Sequence, residues 1–183
     1  DNSTDGKILL NSKRLDKKEL FYLFKLKKSS NSILFDIGAN SGFYSILASN
    51  YGFKKIYSFE PLKEMSDRLK ENIKLNNLEN LIEIIDSPVG ESDDYANIYR
   101  SNSNLGGTSL ILSNERYNEA QLKMITLFSF VVNKNIKNID AIKIDIEGYE
   151  DRALDCFFRK APKELYPKIL IIEHTSSRDW LTN

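Results

Sequence analysis

The sequence predicts an α/β protein built on a doubly wound, mostly parallel sheet. From Ile33 onward, short apolar runs of strand length alternate with amphipathic stretches of helical period, and most of those runs end on an acid. The chain has 183 residues, 41% of them apolar, which is enough for one domain with a sizeable core. No internal repeat, low-complexity tract or linker marks a second domain.

The first thirty residues are rich in lysine. Asp16 and Glu19 have capping-box spacing, and Leu20, Phe21, Leu23 and Phe24 form an apolar stripe with lysines opposite. This predicts a helix over about 16–28, within a basic segment 1–32 that packs on the core. Its charged face, Lys17, Lys18, Lys25, Lys27 and Lys28, reads as a solvated surface or as a contact for phosphate or a membrane.

The alternation then becomes regular. "ILFDI" reads as a buried strand and "FYSILASNYG" as a helix closed by Gly52. "KIYSFE" follows as a strand, "PLKEMSDRLKENIKLNN" as a helix and "LIEII" as a strand. In the second helix Leu62, Met65, Leu69 and Ile73 recur at helical spacing, and Pro61 stands where a first-turn proline belongs. Right-handed crossovers make these strands parallel. The stretch after Ile85 is polar and predicts a short hairpin. From Ser87 to Leu112, with Gly106 and Gly107, it reads equally as a surface excursion or a mobile cover over a site. Order returns with "IDAIKIDIEGYEDRALDCFF", a strand then a helix, and "PKILIIEH", a fifth strand.

Lysine plus arginine equals aspartate plus glutamate at 26 each, so no net field recruits nucleic acid or an anionic membrane. Neither partner is expected, and oligomeric state is not legible. The single cysteine, Cys156, reads as a small buried hydrophobe on a helix, and a reducing, cytoplasmic compartment is expected. No apolar run approaches the roughly 20 residues that span a bilayer.

In a doubly wound sheet, ligands bind beyond the carboxyl ends of the strands where the strand order reverses. The residues that end the strands are Asp36, Glu60, Asp86, Asp145 and the pair Glu173 and His174. Asp36 opens "DIGANSG", where Gly38 and Gly42 let the backbone turn sharply and approach a ligand closely. A dinucleotide fingerprint needs G-x-G-x-x-G to seat a pyrophosphate, whereas here G-x-x-x-G follows an aspartate. That aspartate would repel an anion and attract a cationic amino-acid head group. Glu60 is placed to accept hydrogen bonds from two ribose hydroxyls. A ribose joined to an amino-acid cation points to S-adenosylmethionine. Taken singly, each acid also reads as a helix N-cap.

The motifs "FDIGANSGFYS", "YSFEP", "LKENIKLNNLENLIEII", "VGE", "GGTSL" and "IKIDIEGYE" with "LIIEH" resemble the FkbM family of S-adenosylmethionine-dependent methyltransferases, from about Ile33 to His174. The resemblance implies the class I methyltransferase (Rossmann-like) fold over residues 33–183. It implies cofactor binding through Asp36, Gly38, Asn40 and Gly42, with Glu60 on the ribose and Asp86 and Ser87 near the adenine. It also implies O-methylation of a small-molecule or carbohydrate acceptor. Two departures stand out. The family commonly has Leu-Asp where this chain has Leu127-Phe128, and the fold normally adds two strands beyond the fifth, whereas nine residues follow His174. The domain is therefore expected to be incomplete at its C-terminal end.

In "IKIDIEG", Lys143, Asp145 and Glu147 share one strand face and Ile142, Ile144 and Ile146 the other. A charged row in a covered sheet needs partners, and Asp36 on the neighbouring strand is the expected partner of Lys143. Carboxylates that hold a sulfonium do not by themselves speed its loss of charge. Rate must come from in-line alignment, which contributes up to about 7–11 kcal/mol, and from removal of the acceptor's proton, about 10²–10⁴-fold. The base candidates are His174, Asp145 and Glu147, with His174 reading equally as a plain strand-end residue. The three would also suit a divalent metal, but their spacing matches no site pattern and none is assigned. The rival readings are a nicotinamide oxidoreductase, which lacks its pyrophosphate loop here, and a binding module that holds the nucleotide without turnover.

Overall fold

The computed structural model describes residues 21–23, 25–26, 30–101, 108–110 and 116–173. The chain runs β1 (Ile33–Ile37), α1 (Phe43–Ser49), β2 (Lys55–Phe59), α2 (Lys63–Leu75), β3 (Ile82–Ile85), β4 (Tyr95–Ser101), β5 (Thr108–Ser109), β6 (Arg116–Lys123), α3 (Leu127–Asn133), β7 (Ala141–Ile144), α4 (Glu150–Lys160) and β8 (Ile169–Ile172). Five strands pair in parallel in the order β3-β2-β1-β7-β8. The chain lays β2 and β3 on one side of β1 and returns to lay β7 and β8 on the other. The strand order therefore reverses between β1 and β7, as the doubly wound reading requires.

Strand alternation sorts the core into two layers. Phe35, Ile37, Tyr57, Phe59, Ile142 and Ile144 pack on one face with Phe130 and Val131 of α3 and Leu154 and Phe157 of α4. The Phe130 ring meets Phe35, Tyr57 and Phe59 edge-on, with centroids 5.7, 5.1 and 5.0 Å away. On the opposite face Leu34 and Ile56 pack with Ala48 of α1 and with Leu69 and Ile73 of α2. The helical spacing read from the sequence of α2 thus produces its buried stripe, Met65, Leu69 and Ile73.

Of the helix expected over 16–28, Phe21, Tyr22, Leu23 and Lys25 are helical, and the rest of that range lies outside the described residues except Leu26, a bend. Leu23 is buried in the α1–α2 face, while Phe21 and Tyr22 are exposed.

Two features exceed the sequence reading. The polar stretch forms a three-stranded antiparallel sheet of order β5-β4-β6, larger than a short hairpin. Ile98 of β4 is its anchor, buried with Leu62 and Met65 at the start of α2. Helix α3 was not expected at all. It is capped by Thr126, whose hydroxyl accepts from the Ser129 N–H at 3.1 Å, and Asp93 accepts from the Thr126 N–H at 2.7 Å and the Ser129 hydroxyl at 2.5 Å. Cys156 is buried in α4 with its thiol 3.2 Å from the Glu91 carbonyl oxygen. Among the described residues, no helix is long and apolar enough to cross a membrane.

Candidate functional site

The loop from β1 to α1 holds three residues in the left-handed region: Gly38 (φ 76°), Asn40 (φ 53°) and Gly42 (φ 94°). Both glycines answer to packing. A Cβ on Gly38 would stand 1.8 Å from the carbonyl oxygen of Asp145, and one on Gly42 would stand 2.3 Å from Leu69 Cδ1. The loop is thereby pressed against the end of β7 on one side and against α2 on the other. The N–H groups of Gly38 and Ala39 both donate to the Phe59 carbonyl at 3.0 Å, which carries the loop across the end of β2.

Glu60, directly after β2, ties this loop down. Its Oε2 accepts from the Asn40 N–H and its Oε1 from the Leu62 N–H, each at 2.9 Å. Only 4% of the residue is exposed. Burial pushes its carboxyl up to about 7, against the pull of the two amide donors and of Lys143. An ionised carboxylate offers about four acceptor positions, so two remain for hydroxyl donors such as those of a ribose.

Asp36 lies beside Ser58 of β2 and Lys143 of β7 in the sheet register. It has no exposed surface. Its Oδ2 accepts from the Ser45 hydroxyl at 2.5 Å, which in turn lies 2.7 Å from the Ser58 hydroxyl. Its Oδ1 has no hydrogen-bond partner and stands 3.9 Å from Lys143 Nζ, the ion pair expected from the sequence. Lys143 Nζ also donates to the Gly38 carbonyl at 3.3 Å and to Asp145 Oδ2 at 3.4 Å, and it lies 5.0 Å from the centre of the Tyr44 ring. Burial raises the Asp36 carboxyl, with Lys143 and Ser45 opposing it. Burial alone would lower Lys143, but Asp36, Asp145 and Glu173 outweigh it and hold the ammonium above its ordinary value.

Strand β7 ends at Ile144, so the predicted row of Lys143, Asp145 and Glu147 breaks after Asp145. Glu147 (φ 55°) and Gly148 (φ 99°) turn the chain, and both acids are half-buried. The turn is pinned by Glu150, a residue the sequence reading did not single out. Its carboxylate accepts from the N–H groups of Ile146 at 2.8 Å and Gly148 at 3.1 Å. The available signal was an acid in the first turn of a helix, which any exposed helix could also show. Asp86 follows β3, exposed, and accepts from the Ser66 hydroxyl of α2, with half-buried Ser87 beside it. Glu173 follows β8, exposed, and His174 lies outside the described residues.

A parallel sheet with a left-handed loop at its switch point, a buried acid clamping that loop and further acids on the neighbouring strand ends defines a doubly wound α/β domain, the class in which ligands bind beyond the carboxyl ends of the strands. The methyltransferase FkbM domain family matches residues 36–181, and the chain belongs to that family. A ribosomal protein L11 methyltransferase of Thermoanaerobacter sp. (strain X514) is 34% identical over 71 residues, covering 39% of this chain and 23% of that protein. Among solved structures, a methyltransferase FkbM of Methylobacillus flagellatus KT aligns over 74% of this chain and 31% of its own, at 18% identity and a TM-score of 0.48. A precorrin-6y C5,15-methyltransferase of Geobacter metallireducens GS-15 aligns over 82% and 60%, at 17% identity and a TM-score of 0.45. The chain spans less than a third of the length of the first two.

Proposed function

We propose that this chain binds S-adenosylmethionine beyond the carboxyl ends of β1, β2, β3 and β7 and takes part in methyl transfer to a hydroxyl of a small molecule or carbohydrate. The observation that carries the reading is the charge at the strand ends. Glu60, Asp86, Asp145 and Glu173 stand there, while Lys143 is engaged by Asp36, Asp145 and the Gly38 carbonyl and Lys63 by Asp67. Acids at these strand ends favour a cationic ligand over a pyrophosphate. Family membership supports the same choice.

When bound, S-adenosylmethionine supplies a methyl group activated on sulfur. The chain's own part is to hold and to align. Glu60 would take the ribose hydroxyls on its two spare acceptor positions, and the Asn40 loop, clamped by Glu60, would bound the cofactor on the β1 side. Asp86 and Ser87 would border the adenine. Asp145 and Glu147, on the turn after β7, and His174 are the groups proposed to accept the hydroxyl proton. The buried thiol of Cys156 keeps a reducing, cytoplasmic setting as our reading.

Calorimetric titration of S-adenosylmethionine, S-adenosylhomocysteine and NAD into the chain tests the reading. Micromolar binding of the first two, weakened in Glu60→Gln, is expected. Tighter binding of NAD would overturn it. Binding without methyl release to any of a panel of sugars and hydroxylated acceptors would favour the non-catalytic module instead.

A further inference from the structure

We infer that Asp36 and Lys143 form a buried positioning pair that locks the β1–α1 loop to the turn after β7, with Asp36 acting through Lys143 and not by touching the ligand. The inference rests on the cofactor reading above and departs from the sequence expectation that Asp36 greets a cationic head group.

Three observations converge. Asp36 is fully enclosed, and both of its oxygens face protein: Ser45 at 2.5 Å and Lys143 Nζ at 3.9 Å. Lys143 is 4% exposed and its ammonium reaches two separate segments, the Gly38 carbonyl at 3.3 Å in the first loop and Asp145 Oδ2 at 3.4 Å in the second. Those same segments touch through backbone, since Gly38 leaves no room for a Cβ against the Asp145 carbonyl. Lys143 is thus the joint between the loop that Glu60 clamps and the turn that bears Asp145 and Glu147. A lone ammonium at this depth would be strongly unfavourable. Asp36, adjacent in register and on the same face, is the counter-charge that lets it stay. Ser45 and Ser58 orient that carboxylate from α1 and β2, so four elements share one polar node.

Removing one member of a buried pair leaves an uncompensated charge, whereas removing both does not. The test compares Asp36→Asn, Lys143→Met and the double variant in calorimetric affinity for S-adenosylhomocysteine and in urea stability. Each single variant is expected to lose about tenfold or more in affinity, and the double variant to recover most of it. Ligand truncation adds a second readout: Asp36→Asn should weaken 5′-methylthioadenosine, which lacks the amino-acid head, as much as S-adenosylhomocysteine. A double variant that is unfolded, or folded yet no better than Asp36→Asn, overturns the pairing, as does a loss confined to the ligand that keeps its amino-acid head. If the wild-type chain binds no S-adenosylhomocysteine, the cofactor reading fails by itself. The pairing is then decided by whether the double variant regains the urea midpoint lost by the singles.

Discussion

A carboxylate that accepts two backbone N–H bonds is ordinarily held low, yet in Glu60 burial overrides those bonds and brings its pKa up to about 7 from 4.5. The sign of the consequence follows from linkage. Between 4.5 and about 7 the folded protein binds this proton and the unfolded chain does not, so the contribution is fully present below 4.5 and is lost as pH rises through about 7. At 1.36 kcal/mol per unit it amounts to about 3 kcal/mol across the window. Urea midpoints measured from pH 4.5 to 7.5 should therefore fall less steeply in Glu60→Gln than in the wild-type chain. Equal slopes would mean that Glu60 titrates as it does in the unfolded chain. Asp36 shifts in the same direction, which is why the difference between the two proteins carries the test. A ligand whose hydroxyls donate to Glu60 favours its ionised form, so binding near neutral pH should release protons. At this scale the sequence named the acids that end the strands and left their orientation open. The sequence offered Asp36 both as a greeter of a cationic head group and as a partner of Lys143, and the register sets it beside Lys143.

Helix α3 is the element that sequence reasoning missed, and its anchoring explains both the omission and its weight. Its seven residues, "LFSFVVN", carry β-branched and aromatic side chains with no acid in the first turn or base in the last, so local propensity argues for no helix. Tertiary contacts decide otherwise. Asp93, 33 residues upstream of Thr126, closes the cap, and Phe130 seats among Phe35, Tyr57 and Phe59. Phe130→Ala should lower stability by about 3–5 kcal/mol, since it opens a cavity where α3 meets β1 and β2. A loss under about 1 kcal/mol in urea denaturation would show that α3 rests on the sheet without cementing it. By contrast, α2 was legible because its apolar residues keep one face over thirteen residues.

Across the whole molecule the two sheets are unequal. The parallel sheet is buried between two apolar layers, whereas the antiparallel sheet is held by a small cluster around Ile98, Leu62 and Met65. Local opening should follow that inequality. In native-state hydrogen exchange, the amides of Phe35–Ile37 and Ile142–Ile144 should exchange only through global unfolding. Those of Tyr95–Ser101 should exchange earlier, through a local opening. Uniform protection across both sheets would show that they unfold as one unit. A locally opening β4 also suits the reading of this stretch as a cover, and S-adenosylhomocysteine should then slow its exchange.

The amino-acid sequence by itself determined the alternation of strands and helices, the two-faced parallel sheet and the acids that end its strands. Each of these follows from short-range period and from the burial of apolar side chains. Only the tertiary structure decided that Gly38 and Gly42 are bare because Asp145 and Leu69 crowd them, that Asp36 is fully enclosed, and that Glu60 is nearly so. The physical reason is that strand order places residues more than a hundred positions apart side by side. The electrostatics of a buried carboxyl depend on those neighbours, not on the residues that flank it in the chain.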